Sequence, residues 1–374
     1  MNPQEVFCPN MDCPARGQKG KGNIGVQSQQ EKRYVCHECG KTFSARKGSM
    51  LYRLHTDAST VMLVITLLVY GCPVQAIVKA FGIDERTVRN WWKRAGKHCE
   101  GVHEAQVGSR QMDLGQVQAD EIKAKTQHGS FWMAMAMMVE TRLWLGGAVS
   151  ARRDADLIRA LVEQVRRVAL CRPLLLAVDG LASYVTAFQH AFRSPLPRWG
   201  REKGRPRLIP WQEIHIVQVV KQRIDQLLFI DRRIIQGTAQ RVEQLLQRTQ
   251  GGGVINTAFI ERLNATFRQR LAPLARRTRA LAQSGDTLSA GMWIVGCVYN
   301  FCDDHLSLRL RLSVGEHGFR WVQRTPAMAA GLTDHAWSIQ ELLSFTLPIP
   351  RWTPPVHRGR PSKETLQLID RWCR

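Results

Sequence analysis

The stretch 173–178, Pro-Leu-Leu-Leu-Ala-Val, constrains this chain more than any other. A near-continuous apolar run of that length satisfies itself as a strand buried on both faces, at the centre of a sheet covered by helices on each side. It ends in Asp179-Gly180, a turn signal. The flanking patterns agree. Strands are predicted over 117–124, 131–140 and 143–150. Asp154 is placed to cap a helix running to about 169. A further helix, 183–192, and another strand, 213–220, follow the buried run.

Three strands in a meander, then helix, strand, helix and strand describe a mixed α/β sheet with helices on both faces, the ribonuclease H-like layout. Two acids stand out in it. Asp120 lies in an apolar-flanked strand, and Asp179 lies at the carboxyl end of the buried strand, where open α/β sheets build their sites. If the two strands are neighbours, the carboxylates converge. With a third from a helix, they can hold two Mg²⁺ (or Mn²⁺) ions for phosphoryl transfer. Glu121 rivals Asp120; adjacent strand residues point to opposite faces, so only one is expected to join the site. Taken singly, either aspartate also reads as a strand-end cap or turn residue.

The third carboxylate is Glu261. After Gly251-Gly252-Gly253, residues 256–280 read as a helix whose only acid is Glu261, amid Arg262, Arg268, Arg270, Arg276, Arg277 and Arg279. Helical spacing puts Glu261, Asn264 and Arg268 on one face, as a metal ligand beside a phosphate track. Between Asp179 and Glu261 lies extra material: 199–211, an apolar stretch 227–235, and a helix 238–249. It is read as an insertion over about 195–250, with the partners of its strands open.

The chain has 374 residues, with 53 Lys+Arg against 31 Asp+Glu, for a net charge of +22. That disfavours a neutral metabolite as substrate and favours a polyanion, most simply nucleic acid; acidic membranes and general solubility are competing explanations. Cys8 and Cys13 form a C-x4-C pair and Cys36 and Cys39 a C-x2-C pair, with Pro9 and Pro14 suited to tight turns. Two close thiolate pairs fit one structural Zn²⁺ with no open position, and free thiols are the alternative. His37 reads as a bystander. Helices are then predicted over 58–70, 74–81 (opened by Pro73, ended at Gly82) and from Asp84 to about 95. In the third, Val88, Trp91, Trp92 and Ala95 face inward, and Arg86, Arg89, Asn90 and Lys93 outward. The pattern is a helix-turn-helix that presents those four to the major groove. An ordinary bundle with a solvated basic face is the bland alternative. His98, Cys99 and His103 are not expected to form a second metal site.

The run Thr257-Ala258-Phe259-Ile260-Glu261-Arg262-Leu263-Asn264, continuing through Phe267, Arg268, Arg270 and Leu271, resembles the glutamate helix of DDE transposases of the bacterial insertion-sequence-one type. The family pattern is I-E-R-x-N, then x-x-R-x-x-L. The cysteine pairs, the helical segment, the strand aspartate and the Asp-Gly pair follow the family order over about 8–308, and Tyr299-Asn300 with His305 and Leu308 is similar to its closing helix. The resemblance implies Asp120, Asp179 and Glu261 as the metal-binding triad. It also implies double-stranded DNA, element ends and target, as partner, and a homodimer or larger synaptic complex. The span from Asp179 to Glu261 is longer than in compact members.

Arg358-Gly359-Arg360-Pro361 resembles an AT-hook core, which a minor groove can accept; Gly204-Arg205-Pro206-Arg207 is similar, and a solvated loop fits either equally. The segment 324–345 reads as a small helical appendage. No leader or membrane span is visible: the apolar run 61–69 is broken by Thr66 and is far short of the roughly 20 residues a span needs. A cytoplasmic, nucleoid-associated protein is expected, without membrane partners. The expected organisation is a zinc ribbon-like module (1–50), an all-α helix-turn-helix domain (51–105), a ribonuclease H-like catalytic domain (112–312) and a C-terminal appendage with a basic tail (313–374). The expected activity is metal-dependent cleavage and strand transfer of the chain's own mobile element. A non-catalytic DNA-binding regulator and a nuclease that cuts without joining are the alternatives.

Overall fold

The computed structural model describes residues 1–10, 12–196, 204–224, 227–315, 318–347 and 359–372. The chain divides into two units, Met1–Arg53 with Ser344–Arg374, and Leu54–Leu343.

In the first unit, β1 (Ile24–Ser28), β2 (Arg33–Cys36) and β3 (Thr42–Ser44) form an antiparallel sheet in sequence order. Its core is small: Ile24, Tyr34, Phe43 and Ala15 pack around the buried Cys8, Cys13 and Cys36. The end of the chain belongs to this unit. Leu347 N–H donates to the Gly48 carbonyl, and Arg371, on a helix spanning Lys363–Trp372, donates to the Asp12 carbonyl at 3.0 Å.

The second unit opens with three helices, α1 (Ala58–Val69), α2 (Val74–Phe81) and α3 (Glu85–His103). Their boundaries follow capping chemistry. Asp57 accepts from Ser59 N–H at 2.8 Å, and Asp84 accepts from Arg86 N–H at 2.9 Å. Gly82 ends α2 at a left-handed φ of 63°. The third helix runs past 95 to His103. Gly96, which looks like a stop, is a point of close approach instead: a Cβ there would lie 2.4 Å from Ala290 on α8 (Gly285–Phe301). Beyond it His103 is buried between the rings of Trp144 and Trp293, at centroid distances of 4.9 and 5.2 Å.

The sheet contains β4 (Gln116–Lys125), β5 (Ser130–Met138), β6 (Trp144–Ser150), β7 (Leu174–Asp179), β10 (Ile214–Ile224) and β11 (Leu227–Gln236), in the order β11-β10-β7-β4-β5-β6. Strand β7 is parallel to both neighbours, and the other pairs are antiparallel. A small ribbon, β8 (Arg193–Pro195) with β9 (Leu208–Pro210), lies outside it. The side chains of Leu174 to Val178 are buried, as their composition demands. Helix α4 (Ala155–Val168) is capped by Asp154, and α5 (Ala182–Ala191) follows β7. Helix α6 (Ala239–Gln250) seats Val242, Leu245 and Leu246 against Leu175, Ala177 and Val217.

Three expectations need correction. The segment 195–250 is not all insertion, because β10 is a strand of the main sheet beside β7, and 227–235 is its outer partner β11. The helix read over 256–280 is α7 (Ala258–Arg270), which stops before Pro273; a proline there lacks the N–H and its ring clashes with the preceding turn. Arg276, Arg277 and Arg279 therefore lie beyond the helix. Finally, the appendage after α8 includes an unanticipated hairpin, Leu310–Val314 with Gly318–Val322, besides short helices at Pro326–Ala329 and Ile339–Ser344.

Candidate active site

Register sets the site. Ala119 on β4 is opposite Val178 on β7, and Asp179 is opposite Val219 on β10. Asp179, the last residue of β7, thus meets Asp120, in the middle of β4, where the two parallel strands part. Pairing between β4 and β7 stops at Ala119, so the crevice opens where the acids begin. Carboxylate oxygens of Asp120, Glu121 and Asp179 lie within 4.8 Å of one another.

The alternation of side chains on β4 is real, and both faces are used. On one face Gln116 accepts from Thr249 Oγ1 at 2.6 Å. Two residues on, Gln118 Nε2 donates to the Asn256 carbonyl at 2.8 Å, and its Oε1 accepts from Phe259 N–H at 3.1 Å and Ile260 N–H at 3.0 Å. Buried Gln118 therefore caps α7, satisfying N–H groups that a helix start leaves open. Two residues further, Asp120 accepts from Asn264 Nδ2 at 2.7 Å. On the other face Glu121 is buried, accepting from Tyr184 Oη at 2.9 Å and from Arg153 Nε at 2.5 Å. The expectation that only one of the pair joins the site is overturned: a carboxylate oxygen of Glu121 also lies within 4.8 Å of those of Asp120 and Asp179.

Glu261 lines the same pocket as Asp120, Asp179, Arg153 and Lys221, a cavity of about 440 Å³. It stands outside the tight cluster, because Lys221 on β10 pairs with it and Thr257 Oγ1 donates to it at 2.7 Å. Burial works to raise its pKa, but the Lys221 and Thr257 contacts prevail and hold it below the usual range. Asp120 goes the other way. Burial, then the charges of Glu121, Asp179 and Glu261, push it up to about 7. Arg153 is the internal counter-charge: it pairs with Glu121, approaches Asp179 Oδ2 at 3.4 Å and lies over the Trp132 ring at 5.1 Å. A group of clustered, partly buried carboxylate oxygens carrying excess negative charge suits a hard divalent cation.

In the first unit all four sulfurs of Cys8, Cys13, Cys36 and Cys39 lie within 4.8 Å. The Cys8–Cys39 and Cys13–Cys36 separations are 3.6 and 3.8 Å. Sulfurs ~2.3 Å from a tetrahedral centre stand roughly 3.8 Å apart, so the cluster has the dimensions of a metal site. His37 packs over Gly25, outside the cluster. His98 makes a 3.0 Å hydrogen bond with the Leu342 carbonyl instead of joining a second cluster.

The residues expected to touch DNA divide. Arg86, Asn90 and Lys93 are exposed on α3. Arg89 is not free: it is half-buried, paired with Glu85 and donating to Gln283 Oε1 at 2.6 Å. Asn264 is buried and serves Asp120. Arg270 pairs with Asp303 at 2.7 Å and lies over the Tyr70 ring, so its role is structural. Arg268 remains near Asp120 and Glu261. Arg360 is exposed, and Arg358 lies outside the described residues. Sequence reasoning missed Gln118, Arg153, Tyr184 and Lys221. The one available signal, for Gln118 alone, was the run Gln116, Gln118, Asp120, polar at period two with Val117 and Ala119 between. Among the described residues no helix is long and apolar enough to cross a membrane. Comparison with protein-family models and with curated proteins finds no match.

Proposed function

We propose that this chain is a DNA transposase with a ribonuclease H-like catalytic unit, cutting and rejoining DNA by metal-dependent phosphoryl transfer. The observation that carries the reading is the convergence of Asp120, Glu121 and Asp179 where parallel strands β4 and β7 part, with Glu261 lining the same pocket as the two aspartates. The strand order, a meander followed by two parallel strands with helices between them, supports the fold assignment. Asp120, Asp179 and Glu261 would hold Mg²⁺ or Mn²⁺. Bound divalent cations supply Lewis acidity to the attacking and leaving oxygens of a phosphoryl transfer.

The chain's own residues prepare the site for that role. Asn264 orients Asp120, and Gln118 fixes the start of the helix that carries Glu261. Tyr184 and Arg153 occupy both oxygens of Glu121, which makes Glu121 a holder of Arg153 beside Asp179. Lys221 keeps Glu261 ionised. The four-cysteine cluster is assigned to one structural Zn²⁺ in a ribbon-like module. Helices α2 and α3 are assigned to a helix-turn-helix that offers Arg86, Asn90 and Lys93 to a major groove. The net charge of +22 supports a polyanionic partner.

A second reading, a DNA-binding regulator without catalysis, is favoured by one observation: Arg153 and Lys221 already neutralise part of the acidic cluster from within. Labelled DNA from the gene's own flanks separates the two. The transposase reading expects Mg²⁺- or Mn²⁺-dependent nicking and joining, lost in Asp179→Asn and Glu261→Gln with DNA binding intact. Binding to the flanks with no cleavage by the parent protein makes the chain a regulator, and cleavage with no joining makes it a nuclease.

A further inference from the structure

Strand β11 ends the main sheet, and among the described residues no strand pairs with its outer edge. Such edges are ordinarily short, bulged or covered, because their free N–H and C=O groups template further pairing. This one spans Leu227–Gln236 and is apolar along most of its length, with Leu227 at 65%, Phe229 at 51% and Ile235 at 41% exposure.

The strand is complementary to itself. Two copies can pair antiparallel about a twofold axis perpendicular to the sheet only if opposite residues share parity, since the axis preserves faces and side chains alternate. With the axis at Arg232, the odd face sets Phe229 against the second copy's Ile235, and Asp231 against its Arg233, each pairing occurring twice. On the even face Ile230 meets Ile234. Moving the axis one residue to Asp231 sets two like charges directly together. Moving it to Arg233 puts Asp231 against Ile235. The like-charged Arg232 pair left on the chosen axis is eased because Arg232 Nε is drawn to the Ile255 carbonyl, at 2.9 Å. Asp231 and Arg233 pair within the chain at 2.6 Å, and crossing over to the second copy exchanges that contact for its equivalent.

We propose that β11 is a homodimer interface, joining two chains through one continuous sheet by antiparallel pairing centred on Arg232. The inference is independent of catalysis, and its readout is mass and crosslinking.

The test is light scattering of the full, DNA-free chain with charge variants. The parent should run at twice its 42.5 kDa mass. Asp231→Arg or Arg233→Asp should each weaken the dimer by about tenfold or more, because each sets like charges opposite one another twice. The double variant carrying both changes should restore it, since the swapped pair is again complementary. In a second arm, Arg232→Cys should give an oxidised dimer joined at 232, mapped by peptide mass, because directly opposed strand residues lie within disulfide reach. Phe229→Cys should not link to itself, being displaced from its own copy along the strand. A monomeric parent overturns the proposal. So does a dimer indifferent to the charge changes, a double variant that stays monomeric though folded, or no link at 232.

Discussion

Asp120 is where the charge of the site is concentrated. Its pKa is about 7 in the folded protein against 3.8 when free, through burial and then the neighbouring carboxylates. The native state therefore holds this proton more tightly than the unfolded chain. Its contribution is fully favourable below about pH 4 and is lost as pH rises through about 7, a difference on the order of 4 kcal/mol. Asp120→Asn should accordingly raise the thermal midpoint of the metal-free protein at pH 8 and leave it little changed at pH 4. Mg²⁺ should raise the midpoint of the parent more at pH 8 than at pH 5, and calorimetry across pH checks both. His103 works in the opposite direction. Burial pushes it down to about 3, so the stability it permits is present above about pH 6.5 and declines as pH falls towards 3.

At the scale of elements, the start of α7 is fixed to the sheet by the buried Gln118. Gln118→Leu would leave the N–H groups of Phe259 and Ile260 and the Asn256 carbonyl without their partner, at a cost of about 3 kcal/mol. It should lower cleavage more than DNA binding, because it frees the helix that carries Glu261. Urea unfolding alongside a binding assay reads both effects. The first unit depends on its cysteines: with so few apolar side chains, stripping metal with a chelator should make Met1–Arg53 protease-sensitive while the sheet stays resistant, and bound zinc should be one equivalent per chain. Much of this was legible in the sequence. The strands, the starts of the helices at Asp84 and Asp154, and the convergence of Asp120 with Asp179 all follow from local patterns. What was not legible depends on distant neighbours. Gly96 signals a helix stop unless Ala290 is known to lie against it. Asn264 and Arg270 look like parts of a phosphate track until Asp120 and Asp303 are found beside them. Glu121 looked excluded because alternation fixes the direction in which a side chain leaves the strand but not where its carboxylate ends.

At the scale of the whole molecule, the proposed function makes the positive charge and the acidic pocket complementary: arginine and lysine would bring a polyanion to a site that is itself anionic. DNA affinity should then fall steeply with salt, on the order of a thousandfold between 50 and 200 mM if six or more phosphates are contacted. Replacing Arg86, Asn90 and Lys93 with Ala should erase preference among sequences more than affinity itself, as competition binding would show. The central claim is that Asp120, Asp179 and Glu261 form one divalent-cation site, and Mn²⁺ titration of the full chain followed by electron paramagnetic resonance tests it most directly. The account predicts saturable Mn²⁺ binding that Mg²⁺ displaces, lost in Asp179→Asn and weakened in Glu261→Gln. Mn²⁺ that stays free in the presence of the folded parent protein, or binds the Asp179→Asn variant equally well, would contradict it.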